Sequence, residues 1–348
     1  MASDIATLRE IHGQPTVWTN CLEFLQQTNL KQLAQDFHPT EIEWVFVGCG
    51  TSYYLAQAAA YSFSDLLRVP ARAVPASEIL LFPSVALPKG KDAHFPVLIS
   101  RSGHTSEVLL VAEYLQAQGI DFLAVTCDGR ELEALTPHVL KLPIHEDSTV
   151  MTSSFTGMLL GLQYLAATLA NDDAFLSALH ALPAELERLL AIYAPRVKEF
   201  AELGVQDVAF LGQGALYPIA SETALKVMES SSTYAQFFHT LEFRHGPKSI
   251  VDSNALVGAL VSETGYEMET SVLRDMKELG AHTFAVVNTA SNDLHSYADL
   301  IIELNLPVPE LARIAVYVVW GQLLGSHRGL KMGLNPDHPR NLSRVVTI

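Results

Sequence analysis

Pro96-Val97-Leu98-Ile99-Ser100-Arg101-Ser102-Gly103-His104-Thr105-Ser106-Glu107 decides the fold. The short apolar run Pro96 to Ile99 reads as a buried parallel strand, and it stops at hydroxyls gathered around one glycine. A helical pattern then begins, with Val108, Leu109, Val111, Ala112 and Leu115 on its apolar face. Hydroxyls between a strand end and a helix start make an anion cradle. Backbone N–H groups converge there, and the helix dipole adds partial positive charge. A helix cap is the plainer reading, because Ser and Thr cap helices routinely. One cap needs one hydroxyl, whereas Ser100, Ser102 and Thr105 surround Gly103 within six residues. The expected ligand is therefore phosphorylated.

The chain has 348 residues, 49% hydrophobic and 17% charged, enough for two domains of ordinary size or one large one with a sizeable core, and unlike a disordered chain. The mean hydropathy is +0.21. No apolar run reaches the roughly 18 uninterrupted residues of a membrane span. The longest, Ala312 to Leu324, holds Arg313 and Gln322 and reads as a buried helix. A net charge of −16 argues against nucleic acid, which needs a basic face. It also means that a phosphorylated ligand needs local recognition against an unfavourable field. Three cysteines, Cys21, Cys49 and Cys127, form no Cys-x-x-Cys pair, which fits a reducing cytosol with neither disulfide frame nor zinc site. Met1-Ala2-Ser3-Asp4 begins no signal peptide, so a cytoplasmic location is expected, with no membrane partner.

One plan occurs twice. Val45-Phe46-Val47-Gly48-Cys49-Gly50-Thr51-Ser52-Tyr53 and Ala209-Phe210-Leu211-Gly212-Gln213-Gly214-Ala215-Leu216-Tyr217 both read strand, glycine turn, helix. Gly48/Gly212, Gly50/Gly214, Tyr53/Tyr217, Ala56/Ala220 and Glu78/Glu242 are each 164 positions apart, and Phe122 and Phe284 open similar strands 162 apart. A near-constant offset across three elements implies duplicated domains. The expected fold class is α/β, two tandem domains, each a parallel five-stranded sheet flanked by helices. Strands are expected near 44–48, 70–75, 96–100, 121–126 and 138–142, then near 207–212, 234–238, 255–261, 282–287 and 299–303. The domain map is a helical segment packed outside over 1–34, a first domain over 35–170, a second over 195–330 and an extended tail over 331–348. The join falls near Asn171-Asp172-Asp173, ahead of a helical stretch from Leu182 to Glu202. Tyr53 and Tyr217 stand where a dinucleotide fingerprint needs its third glycine, and no Walker lysine follows a glycine-rich loop, so both nucleotide folds are disfavoured.

Glu222, Lys226 and Glu229 fall at i, i+4 and i+7 on one helix face. A solvated stripe is the usual meaning of that spacing. A carboxylate beside a lysine, on a helix that starts at strand carboxyl ends, also suits proton transfer. Spacing alone leaves both readings open. Glu242-Phe243-Arg244-His245-Gly246-Pro247-Lys248 concentrates basic groups at a turn in an acidic chain, which tilts His245 towards a site. Glu242 and His245 make half of a di-iron motif with no second copy, so no metal is expected. Cys49 reads as a small residue in a tight turn rather than a nucleophile.

Taken together, these motifs resemble the SIS-domain (sugar isomerase) family. They are similar to the isomerase half of glucosamine-6-phosphate synthase, and closer to the tagatose-6-phosphate ketose/aldose isomerase group of amino-sugar phosphate deaminase/isomerases. Glu10-Ile11-His12-Gly13-Gln14-Pro15 resembles the synthase entry segment. Gly48 to Ser52 and Ser100 to Thr105 resemble its sugar-phosphate loops. Tyr217 to Ala220, Ala224-Leu225-Lys226 and Glu229 resemble its catalytic helix, His245-Gly246-Pro247 its histidine loop, and Pro339-Arg340-Asn341-Leu342 its tail. Met151 to Thr156 and Arg101 are more like the deaminase/isomerase group. The resemblance implies a homodimer with active sites near the subunit interface and the tail over the site. Ser52, Ser100, Ser102 and Thr105 would hold phosphate, Gly50 and Arg101 would belong to the same substrate- or phosphate-binding set, and Thr51 and the Val150-Met151 backbone would lie along the sugar. Glu229 would move a proton between C1 and C2, His245 from the partner subunit would assist ring opening, and Lys226 would orient or polarise sugar oxygens. That chemistry needs a carboxylate and donors for an enediol-like anion, and no cofactor.

Two departures shape the expected activity. The synthase carries a glutaminase domain with an amino-terminal nucleophile cysteine, whereas this sequence opens with Met1-Ala2, so ammonia from glutamine by that route is not expected. Arg344 stands where the synthase tail has a Schiff-base lysine, and a guanidinium forms no imine but can bind phosphate or a sugar oxygen. If the substrate amine itself becomes the imine, no enzyme lysine is needed. The favoured reading is therefore conversion of an amino-sugar phosphate to a keto-sugar phosphate and ammonia. Aldose–ketose isomerisation, fructosamine-phosphate deglycation and non-catalytic sugar-phosphate sensing are the alternatives.

Overall fold

A computed structural model describes residues 5–33, 42–88 and 94–346. Met1-Ala2-Ser3-Asp4 and the expected domain start at residue 35 lie outside the described residues.

The chain opens with α1 (Ala6–Gln27) and a short α2 (Leu30–Leu33). The first βα series is β1 (Glu43–Gly48), α3 (Thr51–Leu67), β2 (Ala71–Pro75), α4 (Ala76–Leu81), α5 (Pro83–Ala86), β3 (His94–Ile99), α6 (Ser106–Ala117), β4 (Leu123–Thr126), α7 (Arg130–Glu133) and β5 (Val139–Lys141). Helices α8 (Ser153–Ala170) and α9 (Asp173–Phe200) follow. The second series is β6 (Asp207–Gly212), α10 (Leu216–Ser231), β7 (Ala235–His239), β8 (Ala255–Leu260), α11 (Tyr266–Glu278), β9 (His282–Val287), β10 (Leu300–Glu303) and α12 (Ile314–Lys331). Every expected strand forms, to within two residues at either end.

Both sheets are five-stranded, with strand orders β2-β1-β3-β4-β5 and β7-β6-β8-β9-β10. Each strand pair is parallel. The centres of the strands are apolar on both faces, as in Val45, Phe46 and Val47 or Phe210 and Leu211, all at 0% exposure. Burial on both faces is what covering helices give a parallel sheet. Strand order reverses between β1 and β3, and again between β6 and β8, and the carboxyl ends of strands at such a switch point are where open α/β sheets generally take ligands. The duplication is visible in atomic detail. A side chain at Gly48 would strike the Ser52 carbonyl, one at Gly212 would strike the Leu216 carbonyl, and Gly50 and Gly214 both have φ of 55°.

Two compact units form, and neither is one continuous segment. The first-sheet unit comprises Thr16–Glu146, Ser153–Ala181 and the tail from Ser343. The second-sheet unit comprises the chain up to Pro15, Asp147–Thr152 and Leu182–Leu342. In the first, Val47, Ile79, Leu98, Val111 and Leu115 form a core between sheet and helices, and α8 is buried from Ser153 through Ala167. In the second, Leu211, Val257, Val272, Leu273 and Val287 do the same, with α12 buried from Ile314 through Ser326.

Three local readings change. Asn171-Asp172-Asp173 is a tight helix–helix junction. Asn171 takes a left-handed φ of 55°, and the Asp172 carboxylate accepts the Phe175 N–H at 2.9 Å. That cap starts α9 at Asp173 rather than near Leu182. The opening helix is more than an outer layer: Ile11, Trp18 and Cys21 are fully buried, and Trp18 Nε1 donates to Thr156 Oγ1 at 2.9 Å. Among the described residues the tail has no regular structure after α12, but Asp337 accepts the Ala6 and Thr7 N–H groups at 2.8 and 2.7 Å, capping α1. Among the described residues no helix is long and apolar enough to cross a membrane.

Candidate active site

In the first-sheet unit, two loops follow adjacent parallel strands, Cys49–Gly50 after β1 and Ser100–Thr105 after β3. Thr51 and Ser52 form the first turn of α3, each 6% exposed. Ser100 and Ser102 are buried at 2% and 4%, and Thr105 is the N-cap of α6. The loop organises itself around its hydroxyls. Ser100 Oγ accepts the Gly103 N–H at 3.1 Å and lies 3.2 Å from Thr105 Oγ1, while Ser102 Oγ accepts the His104 N–H at 3.1 Å. Each serine hydroxyl that accepts from the loop keeps its own proton as a donor. Gly103 has φ of 67°, and a side chain there would strike the Gly129 carbonyl. Only glycine fits that close left-handed turn.

Arg101 takes a different place from the one its charge suggests. Its side chain is 6% exposed, and Nη1 donates to Glu146 Oε2 at 3.0 Å. Its carbonyl accepts the Cys127 and Asp128 N–H groups at 3.0 Å each, and Thr126 Oγ1 at 3.2 Å. Arg101 thus pins the loop between two hydroxyl residues, and its charge is committed to Glu146. Arg344 is exposed, and its carbonyl accepts Arg101 Nη2 at 3.5 Å. Cys49 points to Glu107. Burial, then the Glu107 charge and hydrogen bond, push its thiol pKa up to about 12, so it stays protonated at neutral pH.

The second-sheet unit holds the proton-transfer candidates. Glu222, Lys226 and Glu229 share one face of α10, with side chains 0%, 1% and 18% exposed. Lys226 Nζ lies 3.2 Å from Glu222 Oε1 and 2.5 Å from Glu229 Oε2. The solvated-stripe reading therefore gives way to a buried triad with one accessible end, Glu229. Burial alone would lower the Lys226 pKa. The Glu222 and Glu229 carboxylates overcome it and hold the ammonium above its ordinary value. Lys226 orients Glu229 here, rather than presenting its ammonium to solvent. Helix α12 allows this burial by meeting α10 through Gly321, Gly325 and Gly329. A side chain on Gly325 would come within 2.7 Å of the Lys226 carbonyl, and those on the other two would strike Thr223 and Ser230.

His245 lies in this unit too, exposed after a 3₁₀ turn, Leu241–Arg244. The basic cluster around it is divided. Arg244 is tied to Asp275 at 2.8 Å and to Ser271 Oγ at 3.1 Å, while His245 and Lys248 face outward. The segment containing Val150 and Met151 is held on either side of Met151. Ser148 Oγ donates to the Val150 carbonyl at 2.8 Å, Glu10 accepts the Ser148 N–H at 3.2 Å, and Gln322 Nε2 donates to the Thr152 carbonyl at 3.2 Å. Gln14 Nε2 donates to Gln322 Oε1 at 2.9 Å, which gives the Glu10 to Pro15 motif a structural purpose.

The loop after β8 shows why the second copy offers no equivalent cradle. Gly265 N–H donates to Ser262 Oγ at 2.9 Å, as Gly103 does to Ser100. Glu269, 1% exposed, then fills the loop by accepting the Ser262 N–H at 2.9 Å and its hydroxyl at 2.5 Å. Burial raises the Glu269 pKa, against the pull of the Ser262 bonds. Sequence reading missed Glu146, Glu269 and the α12 glycines. The glycines alone carried a signal, the spacing of four along the helix. Among the described residues no three His, Cys, Asp or Glu side chains are grouped to hold a metal ion.

The chain is 28% identical over 354 residues to the glutamine–fructose-6-phosphate aminotransferase (isomerizing) of Methanothermobacter thermautotrophicus, which matches 98% of this chain and 57% of that protein. It thus spans little more than half the length of the curated relatives it matches. The glucosamine-6-phosphate deaminase structure from Thermotoga maritima has a TM-score of 0.83 at 26% identity, over 99% of this chain and all of that one. The Escherichia coli tagatose-6-phosphate ketose/aldose isomerase shares the fold with a TM-score of 0.84 at 21% identity, over 98% of both chains. The SIS domain model matches residues 43–168 and 205–322, each segment enclosing one of the two sheets, and the chain belongs to the SIS-domain family.

Proposed function

We propose that this chain is an amino-sugar phosphate deaminase/isomerase. The observation that carries the proposal is the triad on α10, in which a buried lysine holds one partly accessible carboxylate, Glu229. The substrate phosphate binds the hydroxyl loop through Ser100, Ser102, Thr105 and Ser52, with Arg101 holding the loop. With the sugar open as an aldehyde, Glu229 takes the proton from C2 and returns it to C1. The C2 amine becomes an imine, and water hydrolyses it to the ketone and ammonia. Atoms balance as amino-sugar phosphate plus water giving keto-sugar phosphate plus ammonia. The imine nitrogen comes from the substrate, so no lysine nucleophile is required, in keeping with arginine at 344. His245, exposed on its own chain, serves ring opening in the partner subunit of a homodimer. Arg344 contributes a cationic contact to the phosphate or a sugar oxygen.

The test is ammonia release, by a coupled assay, from glucosamine 6-phosphate and galactosamine 6-phosphate in parallel. Release from either supports deamination and names the sugar series. Binding without release from both overturns deamination and favours aldose–ketose isomerisation, which uses the same proton shift.

A further inference from the structure

Glu146 is a fully buried carboxylate that the proposed reaction does not use, and it is bound from four directions. Oε1 accepts Ser153 Oγ at 3.0 Å and the Ser154 N–H at 2.9 Å. Oε2 accepts Arg101 Nη1 at 3.0 Å and Ser154 Oγ at 2.5 Å. Its side chain is 0% exposed and that of Arg101 is 6% exposed. An ion pair so buried gives little net stability, because desolvation consumes most of the Coulomb gain, and an apolar pair of equal volume often does as well. Its effect is geometric. Arg101 lies between Ser100 and Ser102, so whatever fixes Arg101 fixes the direction of both hydroxyls. The backbone side of that clamp is the end of β4, through Cys127, Asp128 and Thr126 Oγ1. The side-chain side is Glu146, which ties the loop to the first turn of α8, an element buried along its length.

We infer that Glu146 is a positioning residue for phosphate, acting through Arg101 on the Ser100–Ser102 loop; this rests on the reading of that loop as the phosphate site. Electrostatics and positioning predict opposite signs. A carboxylate near a phosphate site repels the ligand, so neutralising it would tighten binding if charge were its only influence. If it positions the loop, neutralising it releases Arg101 and weakens binding.

The experiment titrates inorganic phosphate and glucosamine 6-phosphate into wild-type protein, Glu146→Gln, and a double variant carrying Arg101→Met and Glu146→Met. Affinity is read by calorimetry, and folding by the melting temperature. The expected result is that Glu146→Gln binds both ligands about tenfold more weakly, the scale of one lost hydrogen bond to a charged group. The double variant restores packing and melts like wild type, yet still binds weakly, which a merely structural role would not produce. Unchanged or tighter binding in either folded variant overturns the positioning role and leaves the loop assignment standing. Absence of binding to wild type overturns the loop assignment, and the positioning role with it.

Discussion

Lys226 Nζ stands 2.5 Å from Glu229 Oε2, with Glu222 closing the other side at 3.2 Å. One buried ammonium between two carboxylates leaves the three groups with a single net negative charge, and the outer carboxylate is the reachable one. The ammonium restrains Glu229, so in the proposed reaction its carboxylate is held before substrate arrives. Positioned bases of this kind contribute on the order of 10²–10⁴ in rate.

Glu229→Gln is expected to lower turnover by about that factor of 10²–10⁴ while leaving sugar-phosphate binding intact. Steady-state kinetics beside a direct binding titration checks it. Full activity in the variant removes Glu229 from the chemistry.

Ser102→Ala deletes a hydroxyl that accepts the His104 N–H. Phosphate affinity is expected to fall about tenfold, as for one hydrogen bond to a charged ligand. Glu269→Ser, in the self-filled loop of the second copy, is expected to leave wild-type phosphate affinity unchanged at the first loop. Parallel titrations of the two variants separate the loops.

Lys226 gives a signed pH dependence. Its folded pKa lies above the ordinary lysine value of about 10.4. The stability from the triad is complete below that ordinary value and is lost as pH rises through the higher folded value. Denaturant unfolding between pH 8 and the alkaline limit should show the loss in wild type, and Lys226→Met should not show that component.

His327 works at the acid end. Burial, with Lys198 and His12 nearby, brings its pKa down to about 4. An unfolded histidine titrates near 6.5. Between those values the unfolded chain holds the extra proton, so stability falls as pH drops from about 6.5 to about 4. Melting temperatures across that range should fall less steeply in His327→Gln.

Gly325→Ala forces a methyl group to within 2.7 Å of the Lys226 carbonyl. Overpacking of this kind costs about 1–3 kcal/mol, and here it also shifts α10 beneath Glu229. A lowered unfolding free energy together with reduced turnover is expected. Gly333→Ala, in open space past the helix, offers a comparison for its left-handed backbone alone.

Much of this was legible beforehand because parallel strands buried on both faces leave unbroken apolar runs. Val45 to Val47 and Phe210 to Leu211 announce themselves, and their shared glycine turns expose the duplication. The hydroxyl loop was equally plain, since Ser100, Ser102, Gly103 and Thr105 are contiguous. Arg101 was legible as charge but not as a partner of Glu146, because that pairing spans 45 positions and a loop, which no local period encodes. The burial of Lys226 depends on α12 a hundred residues later, so its spacing fitted a solvated stripe equally well. The early start of α9 turned on a single cap, Asp172, inside what reads as a linker.

The most direct measurement is deuterium uptake from heavy water into the C1 and C2 positions of glucosamine 6-phosphate and galactosamine 6-phosphate and of their ketose 6-phosphates, followed by NMR. It detects the proton shift whether or not ammonia leaves. The account predicts uptake into at least one of these sugars with wild-type protein, and none above background with Glu229→Gln that still binds the sugar. Binding without exchange in wild type would contradict proton transfer and leave a protein that senses sugar phosphates without turning them over.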